Sequence, residues 1–524
     1  MPTLITHQLS FQLDTGEWLF NNICFNLNSG ISGLIGRNGV GKSVFISVLN
    51  GKLAPTQGHV TCQGHIAYYS QLPADLLEKD VRIADFLGIT NKLLALRALE
   101  QGRCELKYFD DIGDDWDIET QTKHTLRTLQ IDVDLNDYCH TLSGGQLAML
   151  QLHQLFQANS DILLLDEPSN HLDTQGKHWL ISQLQQYKGK VLLISHDKHL
   201  LRHVDHIYSL TSLGLDLFKG HYDDYITHSC YQANALNRQI SHVKSQQKKI
   251  ARQAQANKEK SQQREVQGNR IRKSGSQAKV IMGSMKDKAG QSLSRLATNQ
   301  QNQSARNQHK LHALQAMQEI LQPQAFHLQT PEQVKKKTLL TIENYRLNKH
   351  TKKTLTFSLS YGARCHLSGA NGCGKSTLLK TIHHKDNPYS GVIKHNTKTV
   401  YLDQHFGLLK VEGAILDSLM KRSKNLTESD ARTLLARIGF RKDSVYRQVG
   451  HLSGGEKMKL SMLIISQISD SPLLLLDEPD NHLDIESTQI LAAALSAYQG
   501  AFILVSHDED FVNEVRISER IIMN

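Results

Sequence analysis

The sequence predicts an α/β protein: two copies of one phosphate-loop domain in tandem, joined by a mostly α-helical, polar segment. Three observations lead there. A glycine-rich loop between an apolar strand and a helix occurs twice, as GRNGVGKS at Gly36–Ser43 and GANGCGKS at Gly369–Ser376. The motifs after each loop return in the same order at nearly constant spacing. The stretch between the two copies has a composition that neither copy shares.

The 524 residues suffice for several domains, at roughly 100–200 residues each. Apolar residues make up 39% and charged residues 21%, material for packed cores. No run approaches the roughly 18 consecutive apolar residues of a membrane span. The N-terminal MPTLITHQLSFQLDTGEWLF lacks the basic-then-apolar order of a secretory leader. Seven scattered cysteines with no C-x-x-C pair argue against a disulfide scaffold or a Cys-ligated metal cluster. The expectation is a cytoplasmic protein without a membrane partner. Its net charge is +9, but residues 231–310 hold 17 Lys/Arg against 3 Asp/Glu, a local +14 that leaves the rest of the chain at −5. The basic character belongs to one segment.

The repeat sets the domain plan. LSGGQ at Leu142–Gln146 returns as LSGGE at Leu452–Glu456, offset by 310 residues. LLLDEPSNHLD, ending at Asp173, returns as LLLDEPDNHLD, ending at Asp484, and LISHD returns as LVSHD, both offset by 311. Gln71 matches Gln404 at 333, so the first copy holds about 23 extra residues before its LSGGQ, assigned to Leu87–Asp117. The domains expected are 1–228, a basic interdomain segment at 229–330, and 331–524. No proline falls between Pro168 and Pro323, and Gly268, Gly275, Gly283 and Gly290 cluster midway. That pattern reads as two polar helices meeting at a glycine-containing tip and closed by Pro323 and Pro331. A disordered low-complexity linker is the other reading.

Each motif carries its own chemistry. The glycines of GxxxxGKS allow backbone N–H groups to curl around phosphates, and the helix that follows adds a favourable field. Gly36, Arg37, Asn38, Gly39, Val40 and Gly41 form one such loop, and Gly369, Ala370, Asn371, Gly372, Cys373 and Gly374 the other. Lys42 and Lys375 reach the β- and γ-phosphates, while Ser43 and Ser376 ligate Mg²⁺. DILLLDEP and SPLLLLDEP are apolar strands ending in two carboxylates. Asp166 and Asp477 suit the Mg²⁺ shell, and Glu167 and Glu478 are placed to polarise the attacking water. His196 and His507 follow apolar strands where they can touch a γ-phosphate. LSGG opens a helix with anion-receptive N–H groups, supplied by Ser143, Gly144, Gly145 and Gln146 and by Ser453, Gly454, Gly455 and Glu456.

The order GxxxxGKS, Gln, LSGG[QE], apolar-DE, NHLD, SHD resembles the ATP-binding cassette (ABC) family over both halves. That resemblance implies head-to-tail cassettes with each ATP between the loop of one and the LSGG of the other. One site would combine Gly36–Ser43, Glu167 and His196 with Ser453–Glu456. The second would combine Gly369–Ser376, Glu478 and His507 with Ser143–Gln146. It also implies Gln71 and Gln404 as further Mg²⁺ ligands, and an aromatic stacked on adenine, for which Phe11 and Tyr345 are the candidates. An intramolecular clamp in a monomer then suffices.

Fused cassettes, EPxNHLD and a basic linker together resemble subfamily F (ABC-F). Its members act on the ribosome, as translation factors or as antibiotic-resistance proteins. There the linker is a helical hairpin that approaches P-site tRNA and the peptidyl-transferase region of large-subunit rRNA. KGHYDDYI at Lys219–Ile226 is similar to the segment that introduces it. Arg264, Arg270, Arg272, Lys273 and Lys279 are the RNA-contact candidates. This chain departs from the subfamily in its short first-copy insertion, in LAMLQL after the first LSGGQ where basic residues are usual, and in Val44 after Ser43. Two other functions fit the cassettes. A fused ATPase subunit of a membrane importer leaves the cationic segment unexplained. A DNA-associated cassette ATPase usually has zinc modules or long coiled coils that are missing here.

Overall fold

The computed structural model describes residues 2–14, 16–70, 80–129, 131, 133–158, 160–170, 172–273, 298–299, 301–315, 338–346, 354–386, 389–403, 406–410, 412–421, 426–467, 473–481 and 483–523. The chain divides into two compact units, Met1–Tyr222 with Pro323–Asn524, and Asp223–Gln322. Both phosphate loops belong to the first unit.

In the first copy, β1 (Thr3–Gln12) and β2 (Trp18–Asn26) precede β3 (Ile31–Ile35), β4 (Gln57–Gln63) and β5 (Ile66–Tyr69). Then come β6 (Ile162–Asp166), β7 (Lys190–Ile194), β8 (His206–Thr211) and β9 (Gly214–Lys219). The central sheet runs β5-β6-β7-β3-β8-β9. It is parallel except for the β8–β9 hairpin. The sequence explains this. ILLLD of β6 is buried at all five positions, the continuous apolar run of a parallel strand covered on both faces rather than the alternation of a half-exposed one. Each buried leucine there contributes about 1.5–3 kcal/mol. A smaller antiparallel sheet, β2-β1-β4, packs beside it.

The second copy repeats the plan with β10 (Thr338–Arg346), β11 (Leu355–Ser360), β12 (Arg364–Gly369), β13 (Ser390–His395) and β14 (Thr399–Leu402). It closes with β15 (Leu473–Asp477), β16 (Ala501–Val505) and β17 (Glu519–Met523). Its sheets run β14-β15-β16-β12-β17 and β11-β10-β13, the same neighbours in the same places. In both copies the phosphate loop leaves a central strand, β3 or β12, and enters a helix, Lys42–Leu49 or Lys375–His384.

The region assigned to the first-copy insertion holds two helices, Thr90–Glu100 and Leu106–Ile112, with Lys92 paired to Asp115, and the helix Ile118–Thr128 follows it. No helix among the described residues is long and apolar enough to cross a membrane.

In the second unit one helix runs from Tyr222 to Lys273, and residues 301–315 are also helical. The helix begins within KGHYDDYI, earlier than the sequence boundary at 229. Arg264, Arg270, Arg272 and Lys273 fall on it. Lys279, the glycines at 275, 283 and 290, Pro323 and Pro331 lie outside the described residues.

Candidate active site

Lys42 is buried at the start of its helix, and its Nζ donates to the carbonyls of Gly36 at 2.7 Å and Arg37 at 3.1 Å. Lys375 donates to Gly369 at 2.7 Å and Ala370 at 3.0 Å. Each lysine thus spans its own loop. Gly41 and Gly374 hold φ of +99° and +97° immediately before those helices. A Cβ on Gly41 would also lie 2.5 Å from the Leu19 side chain, so only glycine fits there.

The carboxylates end the neighbouring strands. The Ser43 and Asp166 side chains are hydrogen-bonded, as are Ser376 and Asp477. Burial raises the pKa of both aspartates against these contacts and against Lys42 or Lys375. Tyr401 donates its hydroxyl to Asp477 Oδ2 at 2.9 Å. Aspartate and hydroxyl oxygens are hard donors that suit Mg²⁺, which is commonly held by one or two carboxylates plus substrate phosphates and water. Among the described residues no group of three or more His, Cys, Asp and Glu is arranged to hold a metal alone. Gln71 and Gln404, the other implied Mg²⁺ ligands, lie outside the described residues.

Glu167 and Glu478 both adopt left-handed backbone, φ +50° and +51°, at a cost of roughly 1–2 kcal/mol for a residue with a Cβ. The Glu167 N–H donates to Ile194 O at 3.0 Å and the Glu478 N–H to Val505 O at 2.9 Å, which pins the turn. That turn directs each glutamate toward the histidine after the next strand. His196 Nε2 lies 3.4 Å from Glu167 Oε1, and His507 Nε2 lies 3.7 Å from Glu478 Oε1. Burial pushes the Glu167 carboxyl up to about 7 against Lys42, with Asp166 adding to the rise. Glu478 is raised for the same first reason. Both histidines are driven down to about 3, by burial and then by Lys42 for His196 and by Lys375 and Lys177 for His507. They are therefore neutral at neutral pH. Glu167 Oε1 is buried with no hydrogen-bond partner, an orphan acceptor suited to a water or hydroxyl.

Ser143 and Ser453 cap the helices Gly144–Gln157 and Gly454–Ser466 through complete capping boxes with Gln146 and Glu456. The remaining N–H groups at each end are left for another acceptor.

The two copies meet head to tail. One cavity of about 420 Å³ is lined by Asn38, Gly39, Gly41, Lys42, Ser43, Asp166, Glu167 and His196, and from the other copy by Ser453, Gly454 and Gly455. A smaller cavity of about 90 Å³ brings Gly145 and Gln146 against Asn371. Glu456 does not line the larger cavity, because its carboxylate accepts the Ser453 N–H at 2.9 Å in the capping box.

Both adenine candidates need correction. Tyr345 is 3% exposed, in the core with Leu340, Leu367 and Ile382. Phe11 packs 6.0 Å from Phe20 and does not line the larger cavity, where Leu13 and Leu19 form the apolar wall instead. Counting back from the lysine reaches β1 and β10, whereas the wall of the larger cavity comes from Leu13, just after β1, and Leu19 on β2.

Sequence reasoning also passed over Asp173 and Asp484. Asp484 Oδ1 accepts the Ser487 N–H at 2.8 Å, capping its helix, and Oδ2 accepts the Asn38 N–H of the opposite loop at 3.0 Å. Asp173 Oδ1 accepts from Gly176 N at 2.9 Å and Oδ2 from Asn371 N at 3.2 Å. The repeated NHLD was the available signal. Arg37 also pairs with Glu486 across the join.

Comparison with known proteins agrees with this geometry. Residues 20–170 and 352–481 match the ABC transporter family. ABC transporter F family member 5 of Arabidopsis thaliana is 27% identical over 516 residues, covering 92% of this chain and 69% of its own. Ribosome protection protein VmlR of Bacillus subtilis (strain 168) is 27% identical over 518 residues, covering 97% of this chain and 84% of its own. A crystal structure of the archaeal ribosome recycling factor aABCE1 in complex with the ribosomal stalk protein aP1 shares the fold, at TM-score 0.55 and 15% identity over 98% of this chain and 87% of that one. ABC domains bind ATP. The chain belongs to the ABC transporter family, and relatives that match it along nearly its whole length include an F-family member.

Proposed function

We propose that this chain is a cytoplasmic ATPase that docks on the ribosome in its ATP-bound, closed form and leaves on hydrolysis. One observation carries the catalytic half. Loop, carboxylates and histidine of one cassette line a single cavity with the Ser453–Gly455 helix start of the other. A triphosphate there is met by backbone N–H groups from both cassettes, so its binding favours the closed arrangement. Ser43 with Asp166, and Ser376 with Asp477, would hold Mg²⁺, which would supply charge neutralisation when bound. Glu167 and Glu478 orient and polarise the attacking water, while neutral His196 and His507 donate to the γ-phosphate.

The ribosomal half is supported by the 17-to-3 excess of basic over acidic residues in 231–310 and by VmlR, a relative named as a ribosome protection protein. A polar, cationic helical segment gains little from packing and much from phosphate neutralisation. Arg264, Arg270, Arg272, Lys273 and Lys279 are the residues assigned to large-subunit rRNA and P-site tRNA.

Glu167→Gln combined with Glu478→Gln traps the ATP-bound form in this reading. The double variant, sedimented through sucrose with ATP, is expected with ribosomes and polysomes. Variant protein that binds ATP yet stays in the free fractions at low ionic strength would refute the ribosomal role. Loss of resistance to one class of large-subunit antibiotic on shortening residues 264–285 would assign target protection, and unchanged susceptibility a general translation role.

A further inference from the structure

The join between the cassettes is alike in motif on its two sides but unlike in charge. The repeat offset of 311 residues pairs Lys177 with Thr488 and Ser169 with Asp480. Lys177 lies in the helix Thr174–Gln186, just beyond Asp173, with 14% of its side chain exposed. Its Nζ pairs with Asp197 Oδ2 of its own cassette at 2.7 Å and donates to the His507 carbonyl of the other at 3.3 Å. Asp508 and Asp480 of the second cassette are also close enough to favour its charged form.

Those two aspartates brace the same segment. Ser506 Oγ donates to Asp480 Oδ2 at 2.8 Å and accepts the Asp508 N–H at 3.0 Å. Asp480 Oδ1 is buried with no hydrogen-bond partner. Lys177 thus enters a largely buried, carboxylate-rich place against Ser506–His507–Asp508. Burying an ammonium or a carboxylate is costly alone, and in the join these opposite charges offset one another, while the contact to the His507 carbonyl exists only when the cassettes are together. On the mirrored side Thr488 Oγ1 donates at 3.1 Å to the Asp484 carbonyl of its own helix, and the Ser169 and Ser195 hydroxyls are 3.3 Å apart.

We propose that Lys177 is a positioning residue acting from the first cassette on the second cassette's nucleotide site. It holds the His507 main chain from across the join. Lys177 also lines the larger cavity beside Lys42, Glu167 and His196, but among the described residues no second-cassette side chain is shown bonded to the His196 carbonyl, and the mirrored Thr488 bonds within its own helix. Turnover at the second site is thereby made dependent on closure, while the first site lacks that main-chain tie. This rests on the reading that both pockets hydrolyse ATP.

The test isolates each site in the full chain, with Glu167→Gln leaving the second cassette's site active and Glu478→Gln leaving the first. Lys177→Met, which keeps the aliphatic stem, and Lys177→Thr, which copies the mirrored residue, are added to each. In the Glu167→Gln background kcat is expected to fall about tenfold with KM for ATP unchanged within about twofold, as for a misplaced catalytic group. Lys177→Arg restores most of it, and the Glu478→Gln background stays within about twofold of its parent. Equal losses in both backgrounds, no loss in either, or a loss confined to KM would overturn the assignment.

A second measurement needs no turnover. Urea midpoints of nucleotide-free Lys177→Met, Asp480→Asn and the double variant are expected to be non-additive, and additive shifts would overturn the pairing. If the unmodified chain has no ATPase activity but these midpoints remain non-additive, the ATPase reading fails and the inter-cassette pairing stands.

Discussion

The Asp484 carboxylate accepts the backbone N–H of Asn38 from the opposite phosphate loop at 3.0 Å while its other oxygen caps its own helix. One side chain therefore links a helix start in the second cassette to the loop assigned to phosphate in the first. Asp173 and Asn371 repeat the arrangement at 3.2 Å on the other side. Each loop is thereby hydrogen-bonded to the facing cassette.

Replacing Asp484 with alanine removes the cap and the bridge together. Stability is expected to drop by about 0.5–2 kcal/mol from the cap alone, read from urea unfolding without nucleotide. KM for ATP at the site containing Asn38 should rise as well. An unfolding midpoint that moves while KM stays fixed would limit Asp484 to capping.

His507 makes stability depend on pH in a stated direction. Burial, then Lys375 and Lys177, hold its pKa at about 3, below the ordinary 6.5, with Asp173 opposing and His366 adding slightly. Glu478 lies 3.7 Å away. The unfolded chain binds a proton below about pH 6.5 that the folded chain does not bind until about 3. This contribution is therefore complete above 6.5 and lost progressively as pH falls toward 3. His507→Gln should flatten the fall in thermal midpoint between about pH 7 and 5, and His507→Gln with His196→Gln should flatten it further. Parallel curves for variant and parent would count against it.

Charge neutralisation in the basic segment separates affinity from catalysis. Arg264, Arg270, Arg272, Lys273 and Lys279 changed to glutamine should weaken ribosome binding. The slope of log affinity against log salt should fall by roughly 0.7–0.9 for each phosphate no longer neutralised. Ribosome-free ATPase activity should be unchanged. An unaltered salt slope would remove these five residues from the RNA interface.

Tyr345 is a core residue of the second cassette, and Leu19 lines the larger cavity in the first. Tyr345→Ala opens a cavity in the second core and should cost about 3–5 kcal/mol, with little change in KM among molecules that remain folded. Leu19→Ala, on the wall of the larger cavity, should instead raise KM for ATP. Steady-state kinetics beside urea titrations distinguish the two, and the reverse pattern would restore Tyr345 as the adenine platform.

Much of this protein is local and therefore readable in order along the chain. GxxxxGKS between an apolar run and a helix specifies loop, lysine and serine within eight residues. The apolar ILLLD and LLLLD runs announce buried parallel strands, and the carboxylates that end them follow directly. Repeat offsets assign extra residues to the first copy, and charge counting assigns the basic character to 231–310, because neither needs three-dimensional information.

Folding set whatever depends on residues far apart. Which side chains wall the cavity depended on tertiary packing, with Tyr345 in the core and Leu13 and Leu19 on the wall. The left-handed turn that directs Glu167 to His196 depends on a hydrogen bond to Ile194, across the β6–β7 pair. Lys177 reads as an ordinary helix-surface lysine until the second cassette places Asp480, Asp508 and the His507 carbonyl around it. Short-range pattern specifies the parts because backbone propensity and burial act over a few residues. Desolvation and partner choice at the join exist only once both halves have folded against each other.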